Sequence, residues 1–292
     1  MELSIIEYEA TEKLSGRSNS FFKEGLTYLF QLPIKYHNFK DGKGVIAFDC
    51  VVRHIEDDFY ACGNLISITL PESIVSISND SFSGCYNLTS IFIPKNVRRI
   101  GKNAFADCSR LTSICVDEEN KTYDSRGNCN AIIETASNTL VAGCLNSVIP
   151  DSVVKIGDYA FSGRNLLESI EIGDNIVSIG ERAFASCRDL KDFKIGDSVT
   201  SIGSCALIAC RRLATLSIGK SLSSVGNYAF DSNDMLKTVI CRSSDASIIR
   251  SFHPSYPLKF YVNGKLMDAF RSENDNPKLI EVHSVDDLPH QE

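Results

Sequence analysis

Eleven cysteines and five histidines carry the most versatile chemistry in this chain of 292 residues, and their spacing decides whether they use it. Cys62, Cys85 and Cys108 stand 23 residues apart, as do Cys187 and Cys210; Arg164 and Asn233 occupy the same offset elsewhere. A structural zinc site brings ligands in pairs separated by roughly two to four residues. No C-x-x-C occurs, and His37, His54, His253, His283 and His290 are scattered. An odd number of thiols suits a disulfide ladder poorly. A cysteine that recurs at a structural period reads instead as a small buried hydrophobe. The sequence also lacks G-x-S-x-G, a Walker A loop, G-x-G-x-x-G and H-E-x-x-H. The expectation is a non-enzymatic protein with no cofactor and no metal.

Two other groups carry potential chemistry. Asp117, Glu118, Glu119, Asp124 and Glu134 make one stretch acidic, but their spacing matches no calcium loop and suits a solvated loop. Asn79, Asn87 and Asn120 begin N-x-S/T sequons, which matter only in a glycosylating host.

The elements that position these residues follow from a leucine column. Leu65, Leu88 and Leu111 are 23 residues apart, as are Leu167, Leu190, Leu213 and Leu236. The step from Leu111 to Leu167 is 56, so one unit carries ten extra residues. Self-similarity at a fixed period near twenty is the signature of a solenoid. A single coil has too few contacts to bury its own apolar side; stacking turns each column into a continuous spine. Phe82, Phe105, Phe161, Phe184 and Phe230 form one such expected stack. Gly101, Gly157, Gly180, Gly203 and Gly226 share one turn position, where a left-handed backbone angle is expected.

Two units show the pattern: Leu88-Thr-Ser-Ile91-Phe-Ile93, Val97, Ile100-Gly101, Ala104-Phe105, Cys108; and Leu190-Lys-Asp-Phe193-Lys-Ile195, Val199, Ile202-Gly203, Ala206-Leu207, Cys210. The opening L-x-x-I-x-I with the tail V-x-x-I-G-x-x-A-F-x-x-C resembles the BspA-type leucine-rich repeat, over roughly residues 41–262. The resemblance implies a leucine-rich repeat solenoid, mainly β, with parallel strands on the concave face. Short turns or helical segments are expected elsewhere, with small caps at both ends. It also implies a surface or secreted protein that adheres to host matrix or cells, with a protein partner such as a host or extracellular matrix protein.

The expected organisation has three parts. Residues 1–40 form an N-terminal cap, partly helical, with Phe22, Leu26, Leu29 and Phe30 on one helical face and Ser18 or Ser20 as N-cap. Residues 41–262 form the solenoid, whose first coil (41–64) carries a one-residue deletion. Within it, residues 117–143 insert a hairpin of strands 130–134 and 139–143. Residues 263–292 form a C-terminal cap and tail: after the strand 258–262 come a helix over 265–270, a strand over 279–282 and a disordered end.

Charge and hydropathy set limits. A net charge of −7 argues against a general nucleic-acid binder. No stretch approaches the roughly 18 apolar residues of a membrane span. The N-terminus carries acids where an export signal needs a basic start and an apolar run. On the residues alone the expectation is therefore a cytoplasmic protein; a monomer is expected as well. The resemblance points to the cell surface.

Function is expected among residues that face outward between the column positions. Glu168 and Lys191, and Glu171 and Lys194, lie one coil apart and suit exposed ion pairs. Ile66, Phe92 and Cys115 form an apolar group on successive coils and suit a partner contact. The alternative is an intracellular scaffold or regulator acting through the N-terminal segment, or a cryptic enzyme.

Overall fold

The computed structural model describes residues 4–14, 28–29, 32–245, 248, 251–252, 257–262 and 280–285. It divides into two compact units, Met1–Val148 and Ile149–Glu292. Both are mainly-β solenoid, with short turns joining the described strands. One of the connections, Arg126–Asn128, is a single 3-10 turn.

In Met1–Val148 the strands Leu65–Thr69, Ser90–Ile93 and Ser113–Val116 pair in parallel, with Ile68 opposite Ile91 and Ile91 opposite Ile114. Alternation puts these isoleucines inward and Phe92 and Cys115 outward. Leu65, Leu88 and Leu111 are fully buried along one spine. Across the coil, His54–Ile55, Ser76–Ile77 and Arg99–Ile100 form a second parallel sheet. Between the sheets Phe59, Phe82 and Phe105 stack nearly parallel, with centroids 5.1 and 5.5 Å apart. The hairpin insertion forms from Ala131–Glu134 and Thr139–Gly143, antiparallel.

The first coil differs from expectation. Lys43–Phe48 does not pair in parallel with Leu65–Thr69. The strand Ser4–Ala10 lies between them and pairs antiparallel with both. Its alternation is strict, with Ser4, Ile6, Tyr8 and Ala10 inward, so one face joins the apolar spine. Leu32–Lys40 then pairs with the far side of Lys43–Phe48. Ile55 and Phe59 keep their columns, so only the strand half of this coil is replaced. The helix expected near residues 18–30 lies outside the described residues, except 28–29, which are a strand.

In Ile149–Glu292, Lys155–Ile156, Ser178–Ile179, Ser201–Ile202 and Ser224–Val225 pair in parallel. Opposite them, Asp192–Ile195, Thr215–Ile218, Thr238–Cys241, Leu258–Val262 and Ile280–Ser284 form a five-stranded parallel sheet. Phe161 stacks on Phe184 at 5.0 Å, and Phe230 on Phe252 at 4.8 Å; Leu207 fills the intervening coil. The helix expected at 265–270 and the tail 286–292 lie outside the described residues.

The glycine column needs a correction. Among described glycines only Gly42, Gly84, Gly127 and Gly163 take positive φ. Gly101, Gly180, Gly203 and Gly226 are required by close approach instead. A Cβ on Gly203 would sit 2.4 Å from the Glu181 amide nitrogen, and one on Gly226 2.2 Å from that of Ser204. The left-handed columns run elsewhere, through Ala61, Gly84 and Asp107 and through Gly163, Ser186, Ala209 and Ser232. Alternate amides in these turns donate to the next coil, as from Phe82 to Ala104 and from Gly84 to Ala106. That regular ladder holds residues in a conformation costing about 1–2 kcal/mol each.

Candidate functional site

The cysteine column is structural. Four of its five thiols donate to the carbonyl of the phenylalanine 26 residues earlier: Cys85 to Phe59 at 3.0 Å, and Cys108 to Phe82, Cys187 to Phe161 and Cys210 to Phe184 at 3.2 Å. Burial pushes the Cys62 thiol up to about 11 and Cys210 up to about 12, which keeps both protonated and unreactive. Asn233 takes over the same task, donating from Nδ2 to the Leu207 and Phe230 carbonyls. Arg164, also buried, donates from Nη1 to the Ser162 carbonyl.

The acidic stretch and the sequons are occupied by local structure. Arg126 holds both oxygens of Asp124 from Nε and Nη2, and Lys95 reaches Glu119. Among the described residues no group of three or more His, Cys, Asp or Glu could hold a metal ion. Asn120 is buried, donates to the Pro94 and Val97 carbonyls and accepts from the Thr122 and Tyr123 amides. Asn79 accepts from the Lys102 amide, and Asn87 donates to Gly63.

The outward residues of the strands separate into two settings. In Met1–Val148, Phe92 is 46% exposed and stands directly opposite the exposed Cys115 on the next strand. Ile66 is only half-buried and sits elsewhere: the register puts Thr69 next to Phe92 and Ile66 three positions back along its strand. The expected triad is therefore a pair with a distant flank.

In Ile149–Glu292 the ion pair Glu168–Lys191 forms at 2.6 Å, with both side chains exposed. Such pairs contribute about 0.5 kcal/mol. Glu171 and Lys194 form no ion pair, because the two coils part between them. Lys191 donates to the Glu168 carbonyl at 3.2 Å and the ladder then stops. Asp192–Ile195 is left as a sheet edge. The opening is a cavity of about 530 Å³, lined by residues 170–174 and 192–194 with Asp151, Thr215 and Ser217. Phe193 stands where other coils have Ile, Leu or Val, and its ring turns onto Phe184 at 4.9 Å. Ile170 and Ile172, beside the opening, are half-buried. Phe193 departs from its column but pairs in register with Leu216, so it does not by itself announce the opening.

Sequence reasoning also missed the Tyr8 cluster. Its ring stacks on Phe39 at 5.9 Å, and its hydroxyl hydrogen-bonds His37 Nε2 at 2.7 Å. Burial, with a smaller contribution from Lys13, lowers the His37 pKa to about 4.

No helix among the described residues is long and apolar enough to cross a membrane. The model for the BspA type leucine rich repeat region matches residues 46–137 and 141–255 in six copies. The pneumococcal vaccine antigen PcpA is similar in fold (TM-score 0.58, 17% identity, covering 80% of this chain and 68% of that one). A leucine rich cell surface protein from Faecalibacterium prausnitzii is 26% identical with a TM-score of 0.48, over 64% of this chain and 57% of its own. A leucine-rich repeat protein from Bacteroides ovatus is 22% identical with a TM-score of 0.43, covering 86% and 77%. No curated protein matches the chain. With six repeat copies over more than half its length, the chain belongs to the BspA-type leucine-rich repeat family.

Proposed function

We propose that this chain is a non-enzymatic module that binds a protein partner through the outward residues of its parallel strands. Family membership supports a repeat-based binding or adhesion role. One observation carries the choice of surface. Phe92, nearly half exposed, lies beside Cys115 on a sheet whose opposite face is fully committed to the core. An exposed aromatic on a rigid parallel ladder is a low-entropy anchor for a partner. Ile66 flanks it on the preceding strand. Glu168, Lys191, Glu171 and Lys194 offer polar contacts in the other unit. Host or extracellular matrix proteins are the partner class to which the family resemblance points.

The experiment compares wild type and Phe92→Glu in pull-downs from extracellular matrix and from cell lysate. The expected outcome is loss of the partner from the variant at an unchanged melting temperature. Equal capture by both proteins would remove this face from the account.

A further inference from the structure

A second feature of the molecule points to a ligand without help from Phe92. Between residues 169–172 and Asp192–Ile195 the parallel ladder is open, and among the described residues the amides of 169–172 make no hydrogen bond. In soluble proteins such a bare edge is covered, charged or used. This one is charged on one side of the balance. Asp151, Glu171, Asp174 and Asp192 bring four carboxylates to the cavity, against the single ammonium of Lys194. Its floor is apolar, from Ile170, Ile172 and Phe193.

We propose that this open edge takes an extended, lysine-bearing peptide strand of a protein partner, which pairs with the main chain of Asp192–Ile195. Backbone pairing supplies affinity, and side chains that alternate along the added strand supply selectivity. Inward apolar side chains meet Ile170 and Phe193. Outward lysines meet Asp174, Asp192 and Glu171. A second copy of this chain is the poorer occupant, because it would bring another set of the same carboxylates into one groove.

The test uses the full chain and a fluorescent peptide, Lys-Val-Lys-Val-Lys-Thr, followed by anisotropy. The peptide is expected to bind. Methylation of alternate backbone nitrogens, or Glu for each Lys, should weaken it by about tenfold or more. Asp192→Lys should weaken the unmodified peptide similarly at an unchanged melting temperature, whereas Phe92→Glu should leave it unaffected. That last control separates this site from the proposed Phe92 surface. Three results would overturn the proposal: no binding of the cationic peptide, equal binding of its N-methylated form, or a dimer whose formation excludes the peptide. The peptide arms need no variant, so they decide the matter even if Asp192→Lys fails to fold.

Discussion

The coils that begin at Leu167 and Leu190 are closed on one side and open on the other. On the turn side Ser178 pairs with Ser201, Cys210 donates to the Phe184 carbonyl, and Gly203 packs against the Glu181 backbone. On the strand side the same two coils share one backbone hydrogen bond, from Lys191 to Glu168, and then part. The coils at Leu65 and Leu88 carry the same consensus and stay paired on both sides. The difference shows where stacking is fixed. The glycine, cysteine and phenylalanine columns set coil spacing on the turn side. Strand pairing is set separately: it tolerates a change of column residue, since Phe193 pairs with Leu216 and Phe260 with Val239, yet it is absent between 169–172 and Asp192–Ile195.

The comparison can be broken most forcefully at three glycines of one column. A Cβ on Gly219 would sit 2.3 Å from the Gly196 carbonyl oxygen; on Gly196 the nearest atom would be 3.8 Å away, and on Gly173 4.0 Å. Gly219→Ala is expected to cost about 2–3 kcal/mol in urea unfolding, whereas Gly196→Ala and Gly173→Ala should lie within about 0.5 kcal/mol of wild type. Equal costs would mean that the strands are evenly spaced.

The thiol column sharpens the same contrast through pH. Burial raises the thiol of Cys62 to about 11 and that of Cys210 to about 12. A group whose pKa is raised on folding stabilises fully below its unfolded value and loses that contribution as pH climbs through the folded value. The melting temperature should therefore fall steadily from about pH 9 toward pH 11, and Cys210→Ala should flatten part of the slope. A flat profile would show that the thiols are not sealed on the turn side. The smallest effect is expected at the one contact that still bridges the open side through side chains. Glu168→Ala should cost about 0.5 kcal/mol or less and lose even that in high salt.

Much of the fold was legible because each coil repeats the previous one. Leu88 and Leu111, Phe82 and Phe105, and Cys85 and Cys108 identify their columns by offset alone, and the hairpin around Asn138 announced itself by ten surplus residues. What remained hidden depends on partners that the period does not specify. Ser4–Ala10 alternates like any surface strand, and nothing local says that it lies between Lys43–Phe48 and Leu65–Thr69. Gly203 looks the same in sequence whether it serves a left-handed turn or a close backbone approach; only the next coil distinguishes them. The site was legible in part. Phe92 and Cys115 fell out of the alternation, but Ile66 was grouped with them by coil number although it stands at a different position along its strand. The pairing of Glu171 with Lys194 presumed a closed ladder, and the ladder is open between those two coils.

Amide hydrogen exchange resolved to short peptides tests the account most directly. Residues 169–172 should exchange at least about a hundredfold faster than 91–93 and 114–116, while 178–180 and 201–203, on the turn side of the same coils, stay protected. Protection of 169–172 equal to that of 91–93 would contradict an opening between coils that are joined only along one side.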